Sequence, residues 1–334
     1  MEQTPRESET QYAAEETKKR GMLGELFIRL VKEKPLGTIG LVIVIALFFT
    51  GIFADLSYFG FPDIGLAPYG FNEINLAHRL DGPSGEHLLG ADNLGRDMLS
   101  RVIFGARISM YVGLGAIILS VGEATIIGII CGFFGGKVDI IIQRFVDAWM
   151  CFPMLFILLT AMAILSGLMH PVLLMILVLG LASGIGASRL IRSAVIAIKS
   201  NMYVEAAKAI GSPASRTLVR HILPNVMPPI IIMLSIGMGG VIMAEASLSF
   251  LGFGLPPPTP SWGGMLSGSG RTHMIRAPWM MIWPGLALCL VVYGINMFGD
   301  GVRDLLDPRM RGGLGRYSGV EKQRAKLAKK AGQS

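Results

Sequence analysis

The chain alternates long apolar segments with shorter polar ones. A helix that crosses a bilayer needs about 20 consecutive, mostly apolar residues. Six segments approach or meet that length, and they are residues 36–54, 108–134, 145–165, 171–188, 228–252 and 278–299. The pattern predicts an all-α, polytopic membrane protein with six transmembrane helices.

The segments around the first apolar stretch predict a short surface helix. Residues 21–35 place Leu23, Leu26, Phe27 and Leu30 on one helical face with basic residues opposite, which is typical of an amphipathic helix lying on the inner membrane surface. Residues 1–20 are rich in glutamate and poor in large apolar groups, so we expect disorder there. Residues 1–35 thus form a predicted cytoplasmic N-terminal segment, and the first span at 36–54 is predicted to be an uncleaved signal anchor.

Residues 55–107 are predicted to lie outside the membrane. Their first part is rich in glycine, proline and turn residues. Arg96, Asp97, Arg101 and Arg107 follow, and such charges are costly in lipid. We therefore expect an interfacial helix that leads into the second span. The third and fourth spans are joined by only SGLMH, which predicts a helical hairpin.

Composition and charge support this topology. The chain is 52% hydrophobic and 16% charged, with a mean hydropathy of +0.56, whereas a soluble domain carries about 25% charged residues. With the N-terminus inside, 24 of the 30 Lys and Arg residues fall in inner segments and 6 in outer ones. The positive-inside rule then predicts that both termini, including the basic tail at 301–334, lie on the cytoplasmic side of the membrane. No basic face is interleaved with exposed aromatics, so nucleic acid is not an expected partner.

A charged, turn-rich stretch at residues 189–225, here called the polar insert, separates the fourth and fifth spans. Tyr203, Ala206, Ala207 and Ile210 fall at i, i+3, i+4 and i+7, which predicts one narrow helical face, and Glu205 and Lys208 beside it are spaced to pair. Such a flat face suits a groove in another protein, while a helix lying on the membrane is the alternative.

A glycine corner and a second helix are predicted to complete the polar insert. Gly211 is placed to end the first helix in a left-handed conformation. Ser212 is placed to cap a second helix with Pro213 at its first position, and Arg216 and Arg220 share a face of that helix. Pro224 is predicted to stop it before the fifth span.

The polar insert resembles the EAA loop of ABC importer permeases. EAAKAIG, nine further residues and a Leu-Pro pair match that pattern at Glu205, Ala206, Ala207, Gly211, Leu223 and Pro224. His221 stands where the broad pattern prefers isoleucine, and HILPN is similar to the peptide-importer subgroup.

Four more segments resemble C-type permeases of dipeptide and oligopeptide importers, in the same order along the chain. They are LGADNLGRDMLSRVIFGARISM, GGKVDIIIQRFVDAWMCFPMLFIL, EASLSFLGFGLPPPTPSWGGML and GDGVRDLLDPRMR. The likeness covers about residues 30–311. Glu123, a charge within the second span, departs from the family pattern.

The resemblance implies a transport subunit rather than an enzyme. Such a chain forms half of a pore with a B-type permease, receives substrate from an external substrate-binding protein, and docks two cytoplasmic ATP-binding subunits. Its permease core would cover residues 108–300. The docking residues carried over from the loop are Glu205, Ala206, Ala207, Gly211, Leu223 and Pro224, with Arg216 and Arg220 at the rim. ATP and Mg²⁺ would bind the partners and no cofactor this chain, and the substrate stays open between dipeptides, oligopeptides, glutathione and nickel chelates.

Polar groups within the spans allow a different class of function. The candidates are Glu123, Asp147, Glu245 and Asn296. The three acids in contact would make a proton relay and hence a proton-coupled secondary transporter. Arg144 at i−3 is spaced to neutralise Asp147, and Glu245 suits a buried hydrogen bond between helices. A channel would need a filter-like loop or a repeated charged ring, and neither pattern is present. The sequence also has no GxxxxGK[ST], HExxH or GxSxG motif.

Overall fold

The computed structural model describes residues 22–55 and 65–306, and regular structure in these ranges is helical. An isolated bridge joins Ala91 and Asp97, and Leu76–His78 form one turn of 3₁₀-helix. In chain order the α-helices are α1 Met22–Glu33, α2 Pro35–Phe53, α3 Met98–Phe134, α4 Gly136–Met150, α5 Met154–Leu165, α6 Pro171–Lys199, α7 Met202–Ala209, α8 Ala214–Thr217, α9 Leu223–Phe250, α10 Trp262–Leu266, α11 Gly268–His273 and α12 Trp279–Leu306.

Five stretches are long and apolar enough to cross a membrane. They are α2, α3, α6, the stretch Ala214–Phe250 that contains α8 and α9, and α12. A sixth crossing is formed if α4 and α5, which meet at an angle of 85°, count as one broken span. The all-helical class predicted from the sequence is confirmed, with five to six candidate spans in the described residues.

The third predicted span, residues 145–165, is not one straight helix. Helix α4 ends at Met150, and Pro153 has a ψ of 124°, an extended value that precedes α5. Proline cannot donate a helical hydrogen bond and disfavours helical conformation in the residue before it, so a break at this position is physically expected. Helix α5 alone reaches about 18 Å, too short for a bilayer core of about 30 Å.

The helix predicted to lead into the second span is continuous with that span, because α3 runs without a break from Met98 to Phe134. Asp97 caps it, with its side chain accepting from the Ser100 backbone N–H at 2.7 Å. Arg107 donates to the backbone carbonyls of Gly51 at 2.9 Å and Asp55 at 2.6 Å, so this charge is satisfied against the end of α2. With 37 residues, α3 is about 55 Å long.

Helices α3 and α6 form the most extensive helix pair of the described chain, and small residues let them approach closely. A Cβ added to Gly128 of α3 would lie 2.7 Å from both Ile191 Cβ and Ser188 O of α6. A Cβ added to Gly180 of α6 would likewise lie 2.8 Å from Leu119 Cδ2 of α3. Close backbone approach therefore fixes the spacing of the central pair.

The first helix predicted from the sequence is present as α1, and it is held against the ends of α2 and α12. Leu30 is 1% exposed and lies against Gly37 and Gly301, while Phe27 of the same predicted face is 53% exposed. Lys34 Nζ donates to Asp304 Oδ2 at 2.6 Å. Residues 1–20, where disorder is predicted, and residues 307–334 of the basic tail predicted at 301–334 lie outside the described residues.

Candidate functional site

The polar insert contains the predicted helix and glycine corner. Helix α7 ends at Ala209, and Gly211 follows with a φ of +81°. The Gly211 N–H donates to Lys208 O at 2.9 Å and the Ser212 N–H to Ala207 O at 3.0 Å. These two bonds form a Schellman motif, in which a left-handed glycine satisfies the last carbonyls of a helix.

The predicted apolar face of α7 is split between interior and surface. Val204 is fully buried and Ala207 is 7% exposed, so these two residues seat the helix. Tyr203 and Ala206 are exposed, and Ile210 is 85% exposed. Val204, which lies outside the predicted face, takes the inner position, so three of the four residues of that face stay exposed on this chain.

The second helix of the polar insert begins and continues differently from the prediction. Pro213, not Ser212, is the N-cap residue of α8, and the Ser212 hydroxyl instead accepts from Thr217 Oγ1 at 3.3 Å. Helix α8 passes into a π-helical turn at Leu218–Ile222 and then directly into α9. Pro224 therefore does not stop the helix.

The π-helical turn explains why Pro224 is tolerated. A proline in an ordinary helix loses its own donor and clashes with the carbonyl four residues earlier, here that of Arg220. The wider turn changes this register, and the Leu223 N–H bonds to Leu218 O. Pro228 and Pro229 also lie inside α9. The polar insert is thus continuous with α9.

Six of the eight predicted docking residues are exposed on the polar insert: Glu205, Ala206, Gly211, Arg216, Arg220 and Pro224. The other two face inward, with Ala207 buried and Leu223 half-buried. The Tyr203 and His221 rings lie 6.2 Å apart and link α7 to the π-helical turn.

The contact between the polar insert and the end of α3 was not predicted. Lys199 Nζ donates to Phe133 O at 2.5 Å and lies 5.8 Å from the centre of the Phe133 ring. Lys208 Nζ of α7 also lies 5.8 Å from that centre. The predicted Glu205–Lys208 pair is not found in the described structure, because Lys208 points to Phe133 instead. The residues are far apart in sequence, and no local pattern signals their contact.

Ion pairs hold α4 against α6 on the same side of the bundle. Arg192 Nε donates to Asp139 Oδ1 at 2.6 Å. Asp147 accepts from Arg144 at 3.2 Å, as the i−3 spacing predicted, and also contacts Arg189 of α6. Two carboxylates eight residues apart on α4 therefore meet two arginines three residues apart on α6.

The predicted intramembrane polar residues have different partners. Glu123 packs against Gly184 of α6, and its buried Oε2 has no hydrogen-bond partner in the described residues. Glu245 is 1% exposed and accepts from the Ser249 hydroxyl at 2.7 Å. Asn296 is exposed, with its Oδ1 3.1 Å from where a Gly239 Cβ would stand. No contact in the described structure joins the acids Glu123, Asp147 and Glu245, so this geometry forms no relay.

Comparison with known proteins assigns the chain to a family. Residues 124–312 match the model of the binding-protein-dependent transport system inner membrane component family. The dipeptide transport system permease protein DppC of Alkalihalophilus pseudofirmus is 38% identical over 86% of this chain and 90% of its own length. The oligopeptide transport system permease protein OppC of Bacillus subtilis is 33% identical over 84% and 88%.

A glutathione transport system permease protein, GsiD of Pectobacterium atrosepticum, is 37% identical over 69% of this chain and 75% of its own length. The matches include the polar insert, and the candidate spans agree with a multi-pass inner-membrane protein. The chain therefore belongs to the binding-protein-dependent transport system inner membrane component family and is a permease subunit of an ABC importer.

Proposed function

We propose that this chain forms half of a peptide-translocating pore with a B-type permease in the inner membrane of a prokaryote. Two cytoplasmic ATP-binding subunits, which hold ATP and Mg²⁺, drive it through the polar insert. An external substrate-binding protein delivers the substrate, and this chain itself does no covalent chemistry.

The observation that carries this proposal is the shape of the polar insert. Helix α7 presents an outward surface that includes Met202 and Ile210, each 85% exposed, beside the carboxylate of Glu205. Large apolar side chains exposed next to a charge are typical of a surface that a protein partner covers. Helix α7 follows α6 after two residues, and α8 continues into α9, so a force on the insert acts on both membrane helices.

Peptides are the proposed substrate class because the relatives named above transport dipeptides, oligopeptides and glutathione, which is itself a peptide. Their names differ in the peptide transported, while each of them matches more than two thirds of this chain. Uptake assays with dialanine, a pentapeptide and glutathione as competing substrates separate these possibilities, and a nickel chelate in the same assay tests the remaining alternative.

Photo-crosslinking tests the partner at the polar insert. With the exposed Cys151 and Cys289 replaced by serine, a single cysteine at Ala206 is labelled with a thiol-reactive benzophenone in membranes that contain the whole transporter. We expect light to join this chain to a subunit that binds ATP. A cysteine at Leu173, which is 49% exposed at the opposite end of α6, is the matched control and should not capture that subunit.

Transport by the purified components completes the test. Proteoliposomes with all subunits should accumulate peptide only with ATP and the binding protein present. Peptide movement by this chain without an ATP-binding partner, or accumulation that follows a pH gradient instead of ATP, would overturn the proposal in favour of a secondary transporter.

A further inference from the structure

A cavity of about 850 Å³ lies at the end of the bundle where α3 begins, the end opposite to the polar insert. We call it the Arg101 cavity. Its lining comes from the start of α3 and the segment before it, from the end of α5, the start of α6 and the loop between them, from residues between 249 and 268, and from Met280 of α12. Pockets that hold small organic ligands measure about 300–1,000 Å³, so its size suits a molecule such as a short peptide.

The polar part of this lining is a buried cluster with more positive than negative charge. Arg96 and Arg101 are each 8% exposed, and Asp92, which is 3% exposed, lies between them. Arg96 uses two nitrogens on Asp92, at 2.8 Å from Nε and 2.7 Å from Nη2. The Asp92 carboxylate is therefore largely committed to Arg96.

Arg101 is left with donor capacity at the cavity. It donates from Nη1 to the carbonyl of Phe71 at 3.0 Å, and its Nε is 3.7 Å from Asp92 Oδ2, beyond a good hydrogen bond. The nearby Asp97 binds the His87 ring at 3.0 Å and caps α3, so it is committed elsewhere. A buried guanidinium with incomplete pairing is stabilised by an added carboxylate, which it can bind with two parallel hydrogen bonds.

Another part of the lining offers acceptors. The Ser249 hydroxyl gives its hydrogen to Glu245, so its oxygen can only accept from a ligand. Ser261 accepts from the Gly264 N–H at 3.2 Å, as the cap of α10. A ligand in this cavity thus meets donors at Arg101 and acceptors at Ser249, next to the carboxylate of Glu245.

The apolar lining is rich in methionine. Five of the lining residues are Met98, Met162, Met169, Met265 and Met280. Methionine is flexible and polarisable, and surfaces built from it accept apolar groups of many shapes. This combination suits ligands that share charged ends and differ in their side chains.

We propose that the Arg101 cavity binds short peptides with a free C-terminal carboxylate, which Arg101 holds, while Ser249 accepts from the N-terminal ammonium group. The inference deepens the proposed function and rests on it for the substrate class. It assigns to this chain a site that binds the two charged ends of the peptide, while the peptide's side chains contact methionine.

Equilibrium dialysis of the complete transporter in detergent, without its binding protein, tests the site with radiolabelled dialanine and with dialanine amide as competitor. We expect the amide, which lacks the carboxylate, to bind at least about tenfold more weakly to the wild type. Arg101→Gln should weaken dialanine binding by about tenfold or more and remove the preference for the free acid. Arg271→Gln, the same change on exposed α11 outside the cavity, should match the wild type.

A second variant serves if Arg101→Gln fails to assemble. Thr259 lines the cavity and takes no part in the charged cluster, so Thr259→Trp should fill the space and abolish binding of both ligands. Wild-type protein that binds no dialanine, unchanged acid preference in Arg101→Gln, or unchanged binding in Thr259→Trp overturns the inference. ATP-driven uptake is measured on the same preparations with the binding protein added: uptake without cavity binding refutes this site alone, whereas loss of ATP-driven uptake in the wild type refutes the proposed function.

Discussion

Lys208 of α7 places its Nζ 5.8 Å from the centre of the Phe133 ring, one residue before the end of α3. Lys199, at the end of α6, approaches the same ring and bonds to the Phe133 carbonyl. Phe133 is 8% exposed and therefore well positioned by its surroundings. The polar insert consequently contacts α3 directly, in addition to its chain connections to α6 and α9.

Phe133→Leu is expected to weaken the connection between the polar insert and α3. Leucine keeps apolar bulk but loses the ring face that attracts two ammonium groups, and each such contact is worth about 0.5–1 kcal/mol when exposed. The transporter should still hydrolyse ATP, with roughly threefold less peptide moved per ATP. Parallel measurement of uptake and phosphate release checks this ratio. Phe134→Leu, at an exposed neighbouring ring, is the control, and equal ratios in both variants would contradict the prediction.

Gly128→Ala should destabilise the α3–α6 pair. The new Cβ would stand 2.7 Å from Ser188 O and Ile191 Cβ, and such overpacking costs about 1–3 kcal/mol. We expect the thermal midpoint of the purified complex to fall by several degrees. Gly122→Ala is the matched control on the same helix, because an added Cβ there meets nothing within 4 Å. A fall of equal size in both variants would show that helix packing at Gly128 is not the cause.

Arg192→Gln should loosen α4 from α6. The pair with Asp139 is partly buried, with side chains 30% and 16% exposed, so we expect a loss of about 1 kcal/mol. Faster tryptic cleavage after Lys137 would report the loosening. The charge swap Asp139→Arg with Arg192→Asp should restore part of the protection, whereas Arg144→Gln, at a side chain 79% exposed, should change little. A swap that behaves no better than Arg192→Gln would argue against the ion pair.

Gly211→Asp should leave the chain inserted and reduce coupling between ATP hydrolysis and uptake. Nothing lies within 4 Å of an added Cβ at this position, so the cost comes from the φ of +81° and not from a clash. A side chain in left-handed conformation costs about 1–2 kcal/mol per residue, least for Asn and Asp and most for β-branched residues. Uptake per ATP should therefore fall further in Gly211→Val and least in Gly211→Asn, and a value in Gly211→Val equal to wild type would remove the corner from the mechanism.

The sequence predicted those parts of the fold that depend on local pattern. The apolar runs that became α2 and α6 were long enough to identify, and EAA spacing located α7 and Gly211. Two prolines were harder to interpret: Pro153 breaks a predicted span, whereas Pro224, predicted to end a helix, lies inside one. The difference is the π-helical turn before Pro224, and no spacing of residues in the sequence predicts that turn.

Contacts distant in sequence could not be predicted. Phe133 and Lys208 are 75 residues apart, and Arg101 meets the cavity only because α10 and the loop before it fold back over the start of α3. The Trp262 indole of α10 donates to Val102 O of α3 at 3.0 Å and so holds α10 against the start of α3. Such pairs depend on how the helices pack, and a single sequence gives the faces of each helix without their partners.

The length of α3 has a mechanical consequence. At about 55 Å it exceeds the hydrocarbon core by roughly 25 Å, so its two ends reach the aqueous layers on both sides. A tilt of about 5° around its midpoint would displace each end by roughly 2 Å in opposite directions. Movement of Phe133 at the C-terminal end of α3 would then shift Arg101 near its N-terminal end. One rigid helix would thereby couple the two sides of the membrane.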